Sequence, residues 1–170
     1  MRHCLTLAAG FLAFAALPAL GQTATEGSDR ITAGMVVHEL QAMNVTAKID
    51  QDDSGDPRVS TKVDGFSWAI YFYDCSAGSL AERACTSYQF YSGYTVAENF
   101  PPTIINKWNT ERRYAKAYTY VQKDHSNNAR IEMDVLLGGT GADPGKSFRA
   151  YFAKMRTAAE GFRQAIGYSK

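Results

Sequence analysis

The chain has 170 residues, 45% of them hydrophobic and 12% aromatic, which is material for one self-sufficient core. Its 18 Lys and Arg nearly balance 17 Asp and Glu, and this excludes a general nucleic-acid binder, which needs a basic excess to neutralise phosphates. The balance hides an asymmetry: residues 22–100 hold 11 acidic and 5 basic side chains, and residues 101–170 hold 6 and 12. Either the two halves mix their charge on one surface, or a dipolar surface guides dimerisation or an acidic partner.

The chain begins MRHCLTLAAGFLAFAALPALGQ: a basic residue, Arg2, then an apolar run from Leu5 to about Leu20 that ends in small residues. This is the pattern of a secretory signal peptide over residues 1–21, with cleavage after Gly21, and the run is too short for a comfortable membrane span. No second long apolar segment follows, so no stable membrane span is expected after removal of the signal, and a periplasmic or secreted location is expected. Residues 22–30 are small and polar and read as a flexible lead-in to a domain over 31–170.

From Thr32, a candidate N-cap, apolar residues at Val36, Val37, Leu40 and Met43 have helical spacing that stops at Asn44. VTAKIDQ and PRVSTKV alternate around the turn-forming DDSGD, the pattern of a hairpin with one wet face. Two aromatic strands follow, GFSWAIYFYDC and CTSYQFYSGY. Alternation puts Phe66, Trp68, Ile70 and Phe72 on one face of the first, and Ser67, Ala69, Tyr71 and Tyr73 on the other. One face should pack on helices, and the other is a candidate contact surface for a protein partner or a second copy.

Cys75 and Cys85 stand at the inner ends of these strands. An even pair in an exported chain predicts a disulfide closing the hairpin, worth about 2–3 kcal/mol by chain entropy; buried thiols or a redox or metal site are the alternatives. ENFPPTIINKWNTERRY then predicts a second helix, started by its prolines and turned inward at Ile104, Ile105 and Trp108. AKAYTYVQKD and ARIEMDVLL form a second hairpin around HSNN. The final stretch predicts a long helix with Phe148, Tyr151, Phe152, Met155, Ala159, Phe162 and Ile166 on its apolar face and a solvated stripe of Arg149, Arg156 and Arg163. Strands in runs, not alternating with helices, indicate α+β: an antiparallel sheet of five to six strands flanked by three helices in the order α-β-β-β-β-α-β-β-α.

Several motifs raise the question of chemistry. LLGGTGADPGKSF ends like a P-loop at Gly145-Lys146-Ser147, but the first glycine of that motif would have to stand at Thr140; Gly139 and Gly141 are each off by one. Asp50, Asp52, Ser54 and Asp56 supply the first half of a calcium loop, yet Thr61 stands where the bidentate glutamate is needed, so a carboxylate-rich turn is the better reading and calcium the lesser one. His38 and His125 lie in no catalytic motif. Glu132 and Asp134 share a strand face without a cleft, and Asp134 is expected to pair with Arg113 on the neighbouring strand.

The segment NKWNTERRYAKAY, followed after a hairpin by IEMDVLLGG and a long helix, resembles the YbjN family, in particular its exported members. The positions that carry the likeness are Trp108, Asn109, Arg113, Tyr114, Ala117, Glu132, Asp134, Gly138 and Gly139, supported by DDSGDP, by the Asp-Gly before the third strand and by the cysteine pair. The resemblance implies a fold similar to type III secretion chaperones, often able to dimerise, with no catalytic residues and no cofactor to carry over. The expected function is non-catalytic: an exported protein that binds a protein or peptide partner in a chaperone-like or regulatory role, with homodimer formation as one form of this. A small-ligand or calcium-binding envelope protein is the alternative, and an unrecognised hydrolase the third.

Overall fold

The computed structural model describes residues 29–138 and 141–168. The expected signal peptide, most of the lead-in and Gly139 lie outside the described residues. The elements are α1 (Ala33–Ala42), β1 (Ala47–Gln51), β2 (Pro57–Val63), β3 (Phe66–Cys75), β4 (Cys85–Val96), α2 (Pro102–Glu111), β5 (Lys116–Val121), β6 (Asn127–Leu136) and α3 (Pro144–Ala165). All strand pairs are antiparallel and form one sheet in the order β1-β2-β3-β4-β6-β5.

Local chemistry sets most boundaries. The Thr32 hydroxyl accepts from Met35 N at 3.1 Å and starts α1. At its other end Asn44, at φ 59°, allows Asn44 N to donate to Gln41 O and Val45 N to Leu40 O, the paired bonds that close a helix on a left-handed residue. Asp64 and Gly65, at φ 53° and 83°, make the two-residue turn that matches the twist of the β2–β3 hairpin. Pro102 and Pro144 occupy first turns, where a missing N–H costs nothing.

The register builds the core in rows across the sheet. Ile49, Val59, Ile70, Phe90 and Met133 are successive cross-strand partners, and the last four are essentially inaccessible to solvent. Onto this face α3 lays Phe148, Phe152, Met155, Ala159 and Phe162, all buried. Its rings meet those of the sheet at Phe90–Phe148 (5.6 Å), Trp68–Phe152 (5.7 Å) and Tyr94–Phe162 (6.0 Å), contacts that add to area burial. Val36 and Leu40 of α1 and Ile105 and Trp108 of α2 complete the same layer.

The Cys75–Cys85 disulfide forms across a directly opposed pair of β3 and β4 residues. Ser76 N donates to Ala84 O on the adjacent pair, so the cysteines sit at a site without ladder bonds, where opposed side chains come closest. The strap beyond the bridge folds back over the start of α1: Ala81 O accepts from Gly34 N at 3.0 Å, and a Cβ at Gly34 would stand 2.8 Å from that carbonyl oxygen.

Three expectations need correction. The second helix stops at Glu111, and Arg112-Arg113-Tyr114 leave it in extended and left-handed backbone. The β5–β6 turn spans Gln122 to Ser126, with His125 at φ 65° and Gln122 N donating to Ser126 O, so Asn127 and Asn128 already belong to the strand. The arginine stripe of α3 is solvated at Arg149 and Arg156, as expected, but it is also a seam and not a free face. Arg149 pairs with Glu39, Arg156 grips both carboxylate oxygens of Asp64 at 2.6 and 2.8 Å, and Arg163 lies 4.0 Å from the centroid of the Phe66 ring. Arg149 and Arg156 of the second half thus meet acids of the first, which is how the two unequal halves mix their charge.

Candidate functional site

The helices cover one face of the sheet, and the side chains that alternate away from them form the other. Cross-strand neighbours on this open face run Asp50, Arg58, Tyr71, Gln89, Asp134 in one row and Ser60, Ala69, Tyr91, Glu132, Lys116 in the next. Between them lies a shallow polar hollow of about 350 Å³, bordered by Arg58, Tyr71, Tyr73, Gln89, Tyr91 and Arg130 and overhung by the Asp52–Ser54 turn.

The hollow is held by charge and ring contacts. Arg58 donates to Asp50 at 2.7 Å, and Ser60 donates to the other carboxylate oxygen at 2.9 Å. Tyr71 and Tyr91 meet edge to face at 5.9 Å. The Arg130 guanidinium lies 3.8 Å from the Tyr120 ring centroid and 5.4 Å from that of Tyr91, an arrangement favoured by the ring quadrupoles. Gly93 makes room for this packing, because a Cβ there would stand 2.9 Å from the Tyr91 hydroxyl. Glu132, only 8% exposed, accepts from Tyr118 and lies 3.4 Å from Gln89 Nε2 and 3.6 Å from Lys116 Nζ.

Titration on this face is displaced away from neutrality. The Arg58 hydrogen bond, helped by Ser60, holds the Asp50 carboxyl below the usual carboxylate range. Burial alone would raise Asp134, but hydrogen bonds from Lys116 and Gln89 outweigh it and keep the group low. The hydrogen bond to Asp134 raises Lys116. Burial and then the Glu132 contact push Tyr118 up to about 12, and burial raises Tyr73 and Tyr91 as well. None of these shifts brings a group towards the range that general acid–base chemistry uses at neutral pH. What the face offers is donors, guanidinium groups and aromatic surface for contact.

The residues singled out in the sequence are scattered. Asp134 pairs with Lys116 at 2.9 Å and Gln89 at 2.6 Å, not with Arg113. The register explains the correction: Lys116 is the partner of Glu132, while Arg113 precedes β5 and turns into a cleft between α2 and α3. Asn109 uses both ends of its amide on one backbone residue, accepting from Ala117 N at 2.8 Å and donating to Ala117 O at 2.9 Å. Trp108 is buried against Phe162, with ring centroids 5.2 Å apart. A Cβ at Gly138 would meet nothing within 4 Å.

Asp52 Oδ1 accepts from Ser54 N and Asp56 N at 2.8 and 2.9 Å, so this carboxylate stabilises the turn. Asp50 faces Arg58, and Asp56 lies 3.5 Å from Arg83. Among the described residues no group of three or more His, Cys, Asp and Glu could hold a metal ion. His38 and His125 are exposed on α1 and in the β5–β6 turn. Gly145-Lys146-Ser147 open α3, where the Asp143 carboxylate already accepts from Lys146 N at 3.0 Å. The strand before them, β6, is antiparallel to both neighbours, whereas a P-loop follows a parallel strand. Gly145 has a packing reason: a Cβ there would come within 2.5 Å of the Glu39 carboxylate that meets Arg149.

Sequence reasoning missed Arg58, Gln89, Tyr91 and Arg130 as one surface. The available signal was the alternation of polar and aromatic residues in β3, β4 and β6. Using it requires knowing that β4 pairs with β6 across the intervening α2 and β5.

Comparison with known proteins bears on the whole domain. A crystal structure of YbjN from E. coli aligns at 12% identity and a TM-score of 0.49, over 77% of this chain and 85% of that one. A crystal structure of an uncharacterized protein from Methanothermobacter thermautotrophicus aligns at 9% identity and a TM-score of 0.44, over 78% of this chain and 96% of that one. No curated protein matches the sequence. The family model described as "Putative bacterial sensory transduction regulator" matches residues 32–167, and the chain belongs to this family, YbjN.

Proposed function

We propose that the chain is an exported, non-catalytic YbjN protein that binds a protein or peptide partner on the open face of its sheet, in a chaperone-like or regulatory role. The observation that carries the reading is the one-sided packing. All three helices share one layer, and the opposite face presents Tyr71, Tyr73, Tyr91, Tyr118 and Tyr120 with Arg58 and Arg130. Tyr and Arg are the residue types enriched at interface centres, where they combine area with directed polar contacts at small entropic cost. A homodimer through this face is the version in which the partner is a second copy. The fold likeness to type III secretion chaperones belongs to this proposal as well.

Export is supported by the signal-like residues 1–21 and by the Cys75–Cys85 bridge, since disulfides persist in oxidising compartments. No helix among the described residues is long and apolar enough to cross a membrane. Fractionation of cells making the full chain tests this half of the reading: a form lacking residues 1–21 in the periplasm or medium supports it, and a full-length cytoplasmic form overturns it. For the binding half, Tyr71→Ser with Arg130→Ser removes two anchors from the open face. Loss of the partner from the variant with unchanged thermal unfolding supports the reading; undiminished partner recovery removes it.

A further inference from the structure

On the helix layer, away from the open sheet face, α2 and α3 leave a cleft of about 300 Å³, within the size range of small-molecule sites. One wall is the C-terminal end of α2 and the turn after it: Trp108, Arg112, Arg113 and Tyr114. The other is a single stripe of α3 running from Lys154 to Gly161, with only small side chains between them at the cleft. The stripe repeats at three- and four-residue intervals, so it is one helical face.

Three cations converge here without carboxylate partners. Among the described residues Arg112, Arg113 and Lys154 form no ion pair; the nearby Glu111 is engaged by Lys107 at 3.9 Å. Two of them lie instead on rings: the Arg112 guanidinium is 5.5 Å from the Trp108 centroid, and Lys154 Nζ is 4.7 Å from that of Tyr114. Of the other basic groups of α3, Arg149 and Arg156 each face an acid, and Arg163 lies over the Phe66 ring outside the cleft.

The backbone at this wall is strained. Ala115 N donates to Arg113 O at 3.0 Å, with Tyr114 at φ 74° between them, the rare three-residue turn with positive φ. Among the described residues, the other non-glycine residues at positive φ are two Asp, one Asn and one His, types that tolerate that region. A tyrosine does not, and this one is 69% exposed, so burial of its ring does not compensate. Strain of this kind persists at ligand clamps.

We propose that this cleft binds a small organic anion, a carboxylate or phosphate carried on a planar apolar body. The body lies between Trp108, Tyr114 and the small residues of α3, and the head group meets Arg112, Arg113 and Lys154. The site is independent of the open sheet face, which is on the other side of the sheet, so failure of either leaves the other standing.

The test is a ¹H–¹⁵N titration of the full mature chain with four probes: benzoate, phenyl phosphate, neutral benzamide and acetate. The expected result is saturable shifts of the Trp108 indole and the Arg112–Ala115 amides, with benzoate or phenyl phosphate binding at least about ten-fold tighter than benzamide or acetate. The better of the two anions identifies the head group. Arg112→Gln with Arg113→Gln should weaken that binding about ten-fold or more with an unchanged melting temperature. Tyr114→Gly should weaken it while leaving the melting temperature equal or higher, because glycine adopts φ 74° without strain. Equal binding of benzamide, undiminished binding by either variant, or no localised shift with about 10 mM of either anion would overturn the proposal.

Discussion

Asn109 replaces a missing strand. β5 is an edge of the sheet, and the backbone N–H and C=O of Ala117 point away from β6 into the Asn109 amide at 2.8 and 2.9 Å. Ala117 is only 4% exposed, so water does not readily take over the two bonds. Asn109→Ala leaves a buried donor and a buried acceptor unpaired, at roughly 1–3 kcal/mol each, reduced by partial rehydration. The better helix propensity of alanine returns about 0.5 kcal/mol. The expected net loss is about 2–4 kcal/mol, which for a domain of this size lowers the melting temperature by roughly 6–15 °C. Calorimetry reads the loss, and amide hydrogen exchange reads its cause: the Ala117 amide should lose protection before its neighbours. A newly exposed edge should also make self-association concentration-dependent. A melting temperature within about 2 °C of the parent with Ala117 still protected would refute the reasoning, since that is less than one lost hydrogen bond.

The remaining predictions are simpler. Reducing the Cys75–Cys85 bridge, which spans 10 residues, should lower stability by about 2–3 kcal/mol in urea titration; identical curves with and without reductant would argue that strand pairing alone closes that hairpin. Gly34→Ala brings a Cβ to 2.8 Å from Ala81 O, and overpacking against backbone should cost about 1–2 kcal/mol despite the gain in helix propensity; a stabilised variant would mean that the strap yields freely. Asp50 and Asp134 titrate below their ordinary range in the folded chain. Their contribution is therefore complete above the unfolded carboxylate pKa near 4 and is lost as the pH falls through the lower folded values. Asp50→Asn with Asp134→Asn should flatten the acid limb of stability against pH, and an unchanged limb would assign acid unfolding to other groups. Tyr118 behaves with the opposite sign. Its folded value of about 12 exceeds the ordinary phenol value, so its contribution is complete below about pH 10 and lost between about 10 and 12; Tyr118→Phe should remove that alkaline loss.

Local pattern made the elements legible. Thr32 and Asn44 bracket α1, Asp64-Gly65 marks a hairpin, and the aromatic alternation of β3 separates Trp68, Ile70 and Phe72 from Tyr71 and Tyr73, all because the determining contacts lie within a few residues. Pairings set by register were not legible. Asp134 meets Lys116 because β5 starts at Lys116 and not at Arg113. The arginines of α3 read as solvated because Glu39 and Asp64 lie about a hundred residues away in sequence and reach them only once α3 crosses the sheet. The open face combines residues from β1, β2, β3, β4, β6 and β5, so no single segment displays it. The family pattern, by contrast, pointed at Asn109, Arg113 and Tyr114, but the bonds of Asn109 to Ala117 and the place of Arg113 and Tyr114 on the wall of the α2–α3 cleft appear only in the fold.

Site-specific photo-cross-linking in cells tests the partner-binding account most directly. A photoreactive amino acid replaces Tyr73, exposed on the open face, or Thr157, exposed on the helix layer, in the full chain. The account predicts a discrete adduct from position 73, abolished by Tyr71→Ser with Arg130→Ser and absent from position 157. Adducts from position 157 alone, or from both positions without regard to the variant, would contradict it.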